Sequence, residues 1–454
     1  MGYQSVNPVN GELIEHFDYW NDDQLENALA CAEAASHTWR QTNFDERARL
    51  MRRLAAQIRT DKAHLAKLIT LEMGKLYSEA QGEIEKCASV CDFYAEHGAT
   101  FLADESIDSD AGSSFVAYQP LGVVLAVMPW NFPFWQVMRF AAPALMAGNV
   151  GLLKHASNVP QCALALEKLF DDAEFPANVF QTLLIPAAQV AGVIADERVH
   201  AVTLTGSTPA GQKVASCAGQ HIKKSVLELG GSDPFIVLDD ADLALAVSNA
   251  VTSRYLNAGQ SCIAAKRFIV TPAIADEFVA AFTQAVEKLE PGDPMSEQTT
   301  LAPMARPDLR DELHQQVINS IKAGAVGVTG CAPVDGPGAY YQASILDHVT
   351  PDCPAYSEEL FGPVAIVIRA KDEADAMRIA NESEFGLGSS IWTQDQQRGE
   401  QLARQVDAGA VFVNGMVKSD PRLPFGGIKQ SGYGRELAQH GIREFVNAKT
   451  IWLR

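Results

Sequence analysis

The chain has 454 residues, more than one hydrophobic core usually serves, so two or three domains are expected and a single small module is excluded. Hydrophobic residues make up 47% and charged residues 20%, which is the composition of a folded enzyme and far from that of a disordered chain. With 36 Lys and Arg against 56 Asp and Glu the formal net charge is −20, so nucleic acid and anionic membranes are repelled on average and neither is an expected partner.

From Asp23 to Glu96 the sequence reads as long amphipathic helices, in blocks such as Ala48-Arg49-Leu50-Met51-Arg52-Arg53-Leu54, where apolar and charged residues alternate at helical spacing. After Gly98 small and acidic residues take over. Ser114-Phe115-Val116-Ala117-Tyr118-Gln119-Pro120 then alternates and is rich in β-formers, which predicts a hairpin arm. From Leu121 onward short apolar runs alternate with helical stretches: Val123 to Val127, Val150 to Leu153, Val179 to Leu184, His200 to Thr205 and Pro234 to Leu238. This is the rhythm of a parallel sheet covered by helices on both faces. A second set follows Cys262, with strands expected at Arg267 to Thr271, Ala365 to Ile368, Ser389 to Trp392 and Ala410 to Asn414. The expected fold class is therefore α/β with two such domains, joined near residue 231.

The most apolar run, Leu121 to Trp130, is much shorter than the roughly 18 residues of a membrane helix and reads as core. The opening Met1-Gly2-Tyr3-Gln4-Ser5-Val6 lacks a basic-then-apolar segment and a myristoylation pattern, so neither export nor a lipid anchor is expected. Eight cysteines without a C-x-x-C pair point to a reducing cytoplasm. No histidine or cysteine spacing supports a metal site.

Four local patterns carry possible chemistry. Val199 to Gly211 is an apolar strand that breaks at Gly206-Ser207-Thr208-Pro209 and opens a helix. Free backbone N–H groups there suit a phosphate, although an ordinary strand-to-helix turn reads the same way. Asn257-Ala258-Gly259-Gln260-Ser261-Cys262 places a thiol after a small, polar loop. The other seven cysteines read as small buried hydrophobes. Glu228-Leu229-Gly230-Gly231 puts a carboxylate beside two glycines at a strand end, a candidate general base. Asn131, in Pro129-Trp130-Asn131-Phe132-Pro133, either caps a turn or donates its amide to an oxyanion.

Together with Glu359-Leu360-Phe361-Gly362-Pro363 and Pro424-Phe425-Gly426-Gly427, these motifs stand in an order that resembles the aldehyde dehydrogenase superfamily over essentially the whole chain. The resemblance implies two Rossmann-type α/β domains plus a small β oligomerisation arm. Residues 1–101 and 121–230 would bind a dinucleotide, 231–439 would carry the catalytic domain, and 102–120 with 440–454 would form the arm of a homodimer or a dimer of dimers. By position Cys262 resembles the family nucleophile, Glu228 the general base and Asn131 the oxyanion donor. Pro129, Trp130, Gly206 and Ser207 fall in cofactor-binding motifs, and Glu359 and Phe361 resemble the residues that hold the nicotinamide ribose.

Family members that prefer NAD usually carry a glutamate three residues after the lysine that follows the second strand. Here Lys154 is followed at that spacing by Ser157, so NADP is expected to be preferred and NAD tolerated. Read without the resemblance, Lys154 is equally a solvated charge and Ser157 a helix cap. Within the family the chain is similar to succinate-semialdehyde dehydrogenases, in which Arg139 and Ser419 fall where the substrate carboxylate is gripped. Trp135, four residues before Arg139, would share its helical face and line the pocket. Otherwise Arg139 is a structural ion pair. A third family arginine is replaced by Leu256, and Ala264 stands where a redox-sensing variant has a second cysteine. The resemblance thus implies oxidation of succinate semialdehyde, with another short or carboxylated aldehyde such as glutarate semialdehyde as the alternative and a non-catalytic relative as the remote one.

Overall fold

The computed structural model describes residues 2–454. After a short strand pair, helices at Asp22–Trp39, Phe44–Thr60, Lys62–Met73 and Tyr77–Phe101 follow one another. The first starts at a capping box, in which the Asn21 side chain accepts from the Gln24 N–H and the Gln24 side chain accepts from the Asn21 N–H, so two otherwise orphaned donors are satisfied. The third stops at Gly74, which takes φ 81°, a left-handed turn that costs glycine nothing. The apolar faces of these helices bury Trp39, Met51, Leu54, Ile84 and Tyr94 against the first large sheet.

That sheet contains, in spatial order, Gly432–Tyr433, Lys224–Glu228, Val199–Thr205, Val123–Met128, Val150–His155 and Phe180–Thr182. All neighbours are parallel except the first pair. The strand order runs outward in both directions from Val123–Met128 and Val199–Thr205. Their carboxyl ends therefore diverge, and a crevice opens between the loops that follow them, as at ligand sites of open α/β sheets.

The second sheet contains Val326–Thr329, Ser344–Asp347, Val364–Arg369, Ala265–Val270, Asp233–Val237, Gly388–Trp392 and Ala410–Val413. Strand alternation sorts its side chains into two cores. Phe235, Phe268 and Trp392 pack on one face and Ile236, Ile269 and Ile391 on the other. The chain passes from the first sheet to the second across residues 229–232, between Lys224–Glu228 and Asp233–Val237. It later returns, because Gly432–Tyr433 pairs antiparallel with Lys224–Glu228. That strand lies inside the range 231–439 that the sequence reading gives wholly to the catalytic domain.

Ser113–Pro120 pairs with Val446–Leu453 along its full length and, through Phe115 and Val116, with Glu105–Ser106. This three-stranded sheet leaves Ile107, Trp452 and Leu453 about half exposed. Not foreseen from sequence are the antiparallel pair Gly2–Val6 and Leu13–Asp18 and the strands Val326–Thr329 and Ser344–Asp347. Gly2–Val6 alternates but buries only Tyr3 and Ser5, and Leu13–Asp18 and Val326–Thr329 are largely exposed, so none carries the apolar alternating face that a sequence pattern reveals.

Candidate active site

The loop before Cys262 departs from ordinary backbone geometry. Helix Leu243–Tyr255 is followed by Asn257 at φ 55°, Ala258 at φ 51° and Gly259 at φ 72°, a left-handed run that is costly for a residue such as alanine. At Gly259 any Cβ would run into the Gly362 carbonyl, so only glycine fits. The turn is held from outside: the Asn257 N–H donates to Glu79 (3.1 Å) and its Nδ2 to the carbonyls of Asn131 (2.8 Å) and Gln260 (3.1 Å). Cys262 emerges just before strand Ala265–Val270, at the amino edge of the second sheet. It is partly exposed, whereas Cys87 and Cys91 are buried.

Cys262 lines two cavities, of about 350 and 300 Å³. Burial pushes its thiol up to about 12, against the pull of Arg139 and Lys266. Lys266 lies under the loop, donating to the carbonyls of Ser261 (2.9 Å) and Cys262 (3.0 Å). Asn131 borders the smaller cavity beside Cys262. One hydrogen of its Nδ2 goes to the Gln260 carbonyl (3.0 Å), which fixes the amide and leaves the second hydrogen for another acceptor. Glu228, at the carboxyl end of its strand, is buried and neither carboxylate oxygen has a hydrogen-bond partner. Burial and then the Glu436 carboxylate raise it to about 8, against Arg139. A buried carboxylate without partners is a poised proton acceptor. Gly426 makes room for it, since a Cβ there would sit 2.6 Å from Glu228 Oε1.

The smaller cavity opens at the crevice of the first sheet. Pro129 and Trp130 follow one central strand, Gly206 and Ser207 the other, and Glu359 and Phe361 close it from the second domain. Trp130 and Phe361 meet edge to face with centroids 5.9 Å apart. Glu359 is fixed by Lys266 (3.3 Å) and by the Gly231 N–H (3.1 Å). At Gly230 a side chain would strike the Glu359 carboxylate, so bare backbone borders the cleft. A flat aromatic wall, an anchored carboxylate acceptor and a helix beginning at Thr208 fit the ring, ribose and phosphates of a dinucleotide.

Lys154 and Ser157 lie outside both cavities. Lys154 is the penultimate residue of strand Val150–His155 and is paired with Val127 of the central strand. It is 9% exposed and burial pushes it down to about 8, so it is no solvated surface charge. Ser157 does not cap the next helix, where Val159 takes that position without a side-chain bond. It lines a separate hollow with Asn158, Gln4 and Tyr19.

The larger cavity is bordered by Trp135, Arg139 and Ser419. Arg139 does not present a free charge there. Its Nε pairs with Glu436, its Nη2 reaches Thr205 Oγ1 (3.5 Å), and the guanidinium lies 4.4 Å from the Phe425 ring centroid. The structure gives Arg139 the internal ion pair that the sequence reading kept as its alternative, while its side chain still lines the larger cavity. Lys86 approaches instead, donating to Ser419 Oγ (2.6 Å), which also accepts from Trp135 Nε1 (3.1 Å). Lys86, Lys266 and Glu436 have no place in the sequence reading. Lys266, four residues after Cys262, had proximity as a signal; Lys86 and Glu436 had none.

Residues 1–451 match the model of the aldehyde dehydrogenase family, and the chain belongs to that family. It is 51% identical to a probable NADP(+) succinate-semialdehyde dehydrogenase of Synechocystis and 52% identical to an NADP(+) succinate-semialdehyde dehydrogenase of Mycobacterium ulcerans, each comparison covering 100% of both chains. Among solved structures it resembles a succinic semialdehyde dehydrogenase from Streptococcus pyogenes in complex with NADP+, at 39% identity and a TM-score of 0.98 over 99% of both chains.

Proposed function

We propose that the chain oxidises succinate semialdehyde to succinate, with NADP as the preferred acceptor and NAD tolerated. The carrying observation is that two cavities meet at Cys262, one fitted to a dinucleotide and the other ending in polar donors. The names of the relatives and of the structural neighbour support the substrate and the cofactor.

Cys262 adds as thiolate to the aldehyde carbon; Arg139 and Lys266 offset only part of the burial that holds its thiol up, so a base such as Glu228 takes the thiol proton. The free hydrogen of Asn131 Nδ2 and the Cys262 N–H stabilise the oxyanion of the thiohemiacetal. Pro129, Trp130, Gly206, Ser207, Glu359 and Phe361 would hold the cofactor, which when bound would supply the acceptor for the hydride lost from the thiohemiacetal carbon, so that Cys262 is left carrying a thioester. Glu228 then takes a proton from water as that water attacks the thioester, and the acid departs. Lys154 and Ser157, one a cation and the other a neutral hydroxyl, accept a 2′-phosphate that a carboxylate at 157 would repel.

The domain assignment proposed is 1–101 with 121–230 for the cofactor and 231–439 for catalysis, apart from Gly432–Tyr433, which completes the first sheet. Residues 102–120 and 440–454 form the arm, whose exposed Ile107, Trp452 and Leu453 suit a homodimer or a dimer of dimers. Eight free thiols suit a cytoplasmic location. The test is the initial rate of reduced-cofactor formation with succinate semialdehyde, glutarate semialdehyde and butyraldehyde, each with NADP and NAD. A higher kcat/KM for succinate semialdehyde with NADP is expected. Preference for butyraldehyde overturns the substrate reading, and preference for NAD overturns the cofactor reading.

A further inference from the structure

A buried ion pair returns little more than its desolvation costs, so what such a pair does is read from the groups around it. Lys75, just before helix Tyr77–Phe101, and Glu83, in the second turn of that helix, form one with both side chains almost wholly buried. Among the described residues, the other hydrogen bonds of the pair all go to one segment, residues 131–135. The Lys75 ammonium donates to the Asn131 carbonyl (3.1 Å) and lies 3.6 Å from the Phe132 ring centroid. The second carboxylate oxygen of Glu83 accepts from the N–H groups of Phe134 and Trp135 (3.0 Å each). Those donors would otherwise be orphans, because helix Trp135–Met146 has no side-chain cap of its own,.

The same carbonyl of Asn131 accepts from Asn257 Nδ2, and Asn131 Nδ2 donates to the Gln260 carbonyl. Asn131 is therefore held from two sides, by the Lys75–Glu83 pair and by the left-handed turn that leads to Cys262. Glu79 stands four residues before Glu83, one turn back on the same helix, and accepts from the Asn257 N–H (3.1 Å). One helix thus anchors both the amide segment and the thiol turn, although one follows a strand of the first sheet and the other precedes a strand of the second. A donor stabilises an oxyanion well only when it is placed before the charge develops, and a misplacement of about 1 Å costs on the order of 10²-fold in rate.

We propose that Lys75 and Glu83 are positioning residues for the reaction: the pair holds the Asn131 main chain where the free Nδ2 hydrogen meets the oxyanion formed at Cys262. This rests on the reading of Asn131 as the oxyanion donor. Neither side chain hydrogen-bonds Cys262. Both act through Asn131, while Glu79 keeps the Cys262 turn in register with it.

The experiment combines Lys75→Met with Glu83→Gln, which withdraws the donor to Asn131, leaves neither member of the pair as an unpaired buried charge and keeps an oxygen to cap the helix. With NADP, turnover should fall about tenfold for succinate semialdehyde and butyraldehyde alike, in kcat and with KM little changed, because the oxyanion exists only after the thiol has added. Inactivation by iodoacetamide displaces iodide at Cys262 without forming an oxyanion, so its rate should stay at the wild-type value, which a collapsed site would not allow. Asn131→Ala alone should lower kcat about 10²- to 10³-fold. Adding the Lys75 and Glu83 changes to Asn131→Ala should cost less than about twofold more, since the pair then has nothing left to position. A further loss of about tenfold in that background, a loss carried by KM, slowed inactivation, or unchanged turnover of the doubly substituted enzyme each overturns the positioning role. Asn131→Ala with wild-type turnover instead overturns the oxyanion reading, and does so before the pair is touched. Should the doubly substituted enzyme fold poorly by circular dichroism, Glu83→Asp, which keeps the charge and shortens the reach to Lys75, takes its place in the same cycle with the same expected outcomes.

Discussion

The reacting groups around Cys262 and the polar wall of the larger cavity are built by different means. Among the reacting groups, Cys262, Asn131 and Glu228 all sit at or next to strand ends, and backbone geometry sets their positions. The left-handed run from Asn257 to Gly259 aims the thiol, and the glycines at 259 and 426 admit no side chain without a clash. Along the wall, Lys86, Trp135 and Ser419 come from two helices and a loop, with Lys86 and Ser419 separated by 333 positions. Only packing brings them together. Backbone-fixed chemistry tolerates few alternatives, whereas a polar wall made of side chains from distant elements can be rebuilt from new positions.

Removing the nucleophile is the severest test of the reacting groups. Cys262→Ser should reduce turnover on the order of 10⁴-fold or more with every aldehyde, since serine lacks a thiolate's nucleophilicity at neutral pH. Circular dichroism should be unchanged, and retention of a tenth of the activity removes Cys262 from the mechanism.

Glu228→Gln comes next, with an expected loss of about 10²- to 10³-fold in steady-state turnover. Thioester hydrolysis is the step slowed, so a burst of reduced cofactor should survive in rapid-mixing experiments. Loss of the burst as well would mean that Glu228 chiefly activates the thiol. Its raised pKa of about 8, set by burial and Glu436 against Arg139 and Arg435, gives a pH signature. The base works only when ionised, so hydrolysis should rise with pH up to about 8, and Glu228→Gln should abolish that limb.

Arg139→Ala sharpens the contrast between the reacting groups and the wall. Glu436 would be left buried without its partner, at a cost of about 3–5 kcal/mol in stability. Because Arg139 also lowers the ionisation cost of Cys262 and Glu228, kcat/KM should fall about 10- to 100-fold for succinate semialdehyde and butyraldehyde alike. A loss confined to succinate semialdehyde would place Arg139 on the substrate carboxylate. Thermal unfolding measures the stability part separately.

The smallest effect lies at the cofactor's far end. Ser157→Glu should shift the ratio of kcat/KM for NADP over NAD towards NAD by about tenfold, by placing a carboxylate where the 2′-phosphate is expected. An unchanged ratio would detach Ser157 from cofactor choice.

The sequence by itself determined the α/β class, because buried parallel strands read as short apolar runs. Each strand named from Val123 to Ala410 has a counterpart in the sheets, with shifted ends. It also singled out Cys262, Glu228 and Asn131, because small residues and glycines around a reactive group leave a local pattern. Tertiary structure alone decided which charges are spent and which are free. Nothing near Arg139 in the sequence announces Glu436, 297 positions later and its buried ion-pair partner. Nothing near Lys86 announces Ser419 either. A local pattern records what the backbone must do at one place, but whether a cation is neutralised depends on which distant carboxylate folding brings within ion-pair distance.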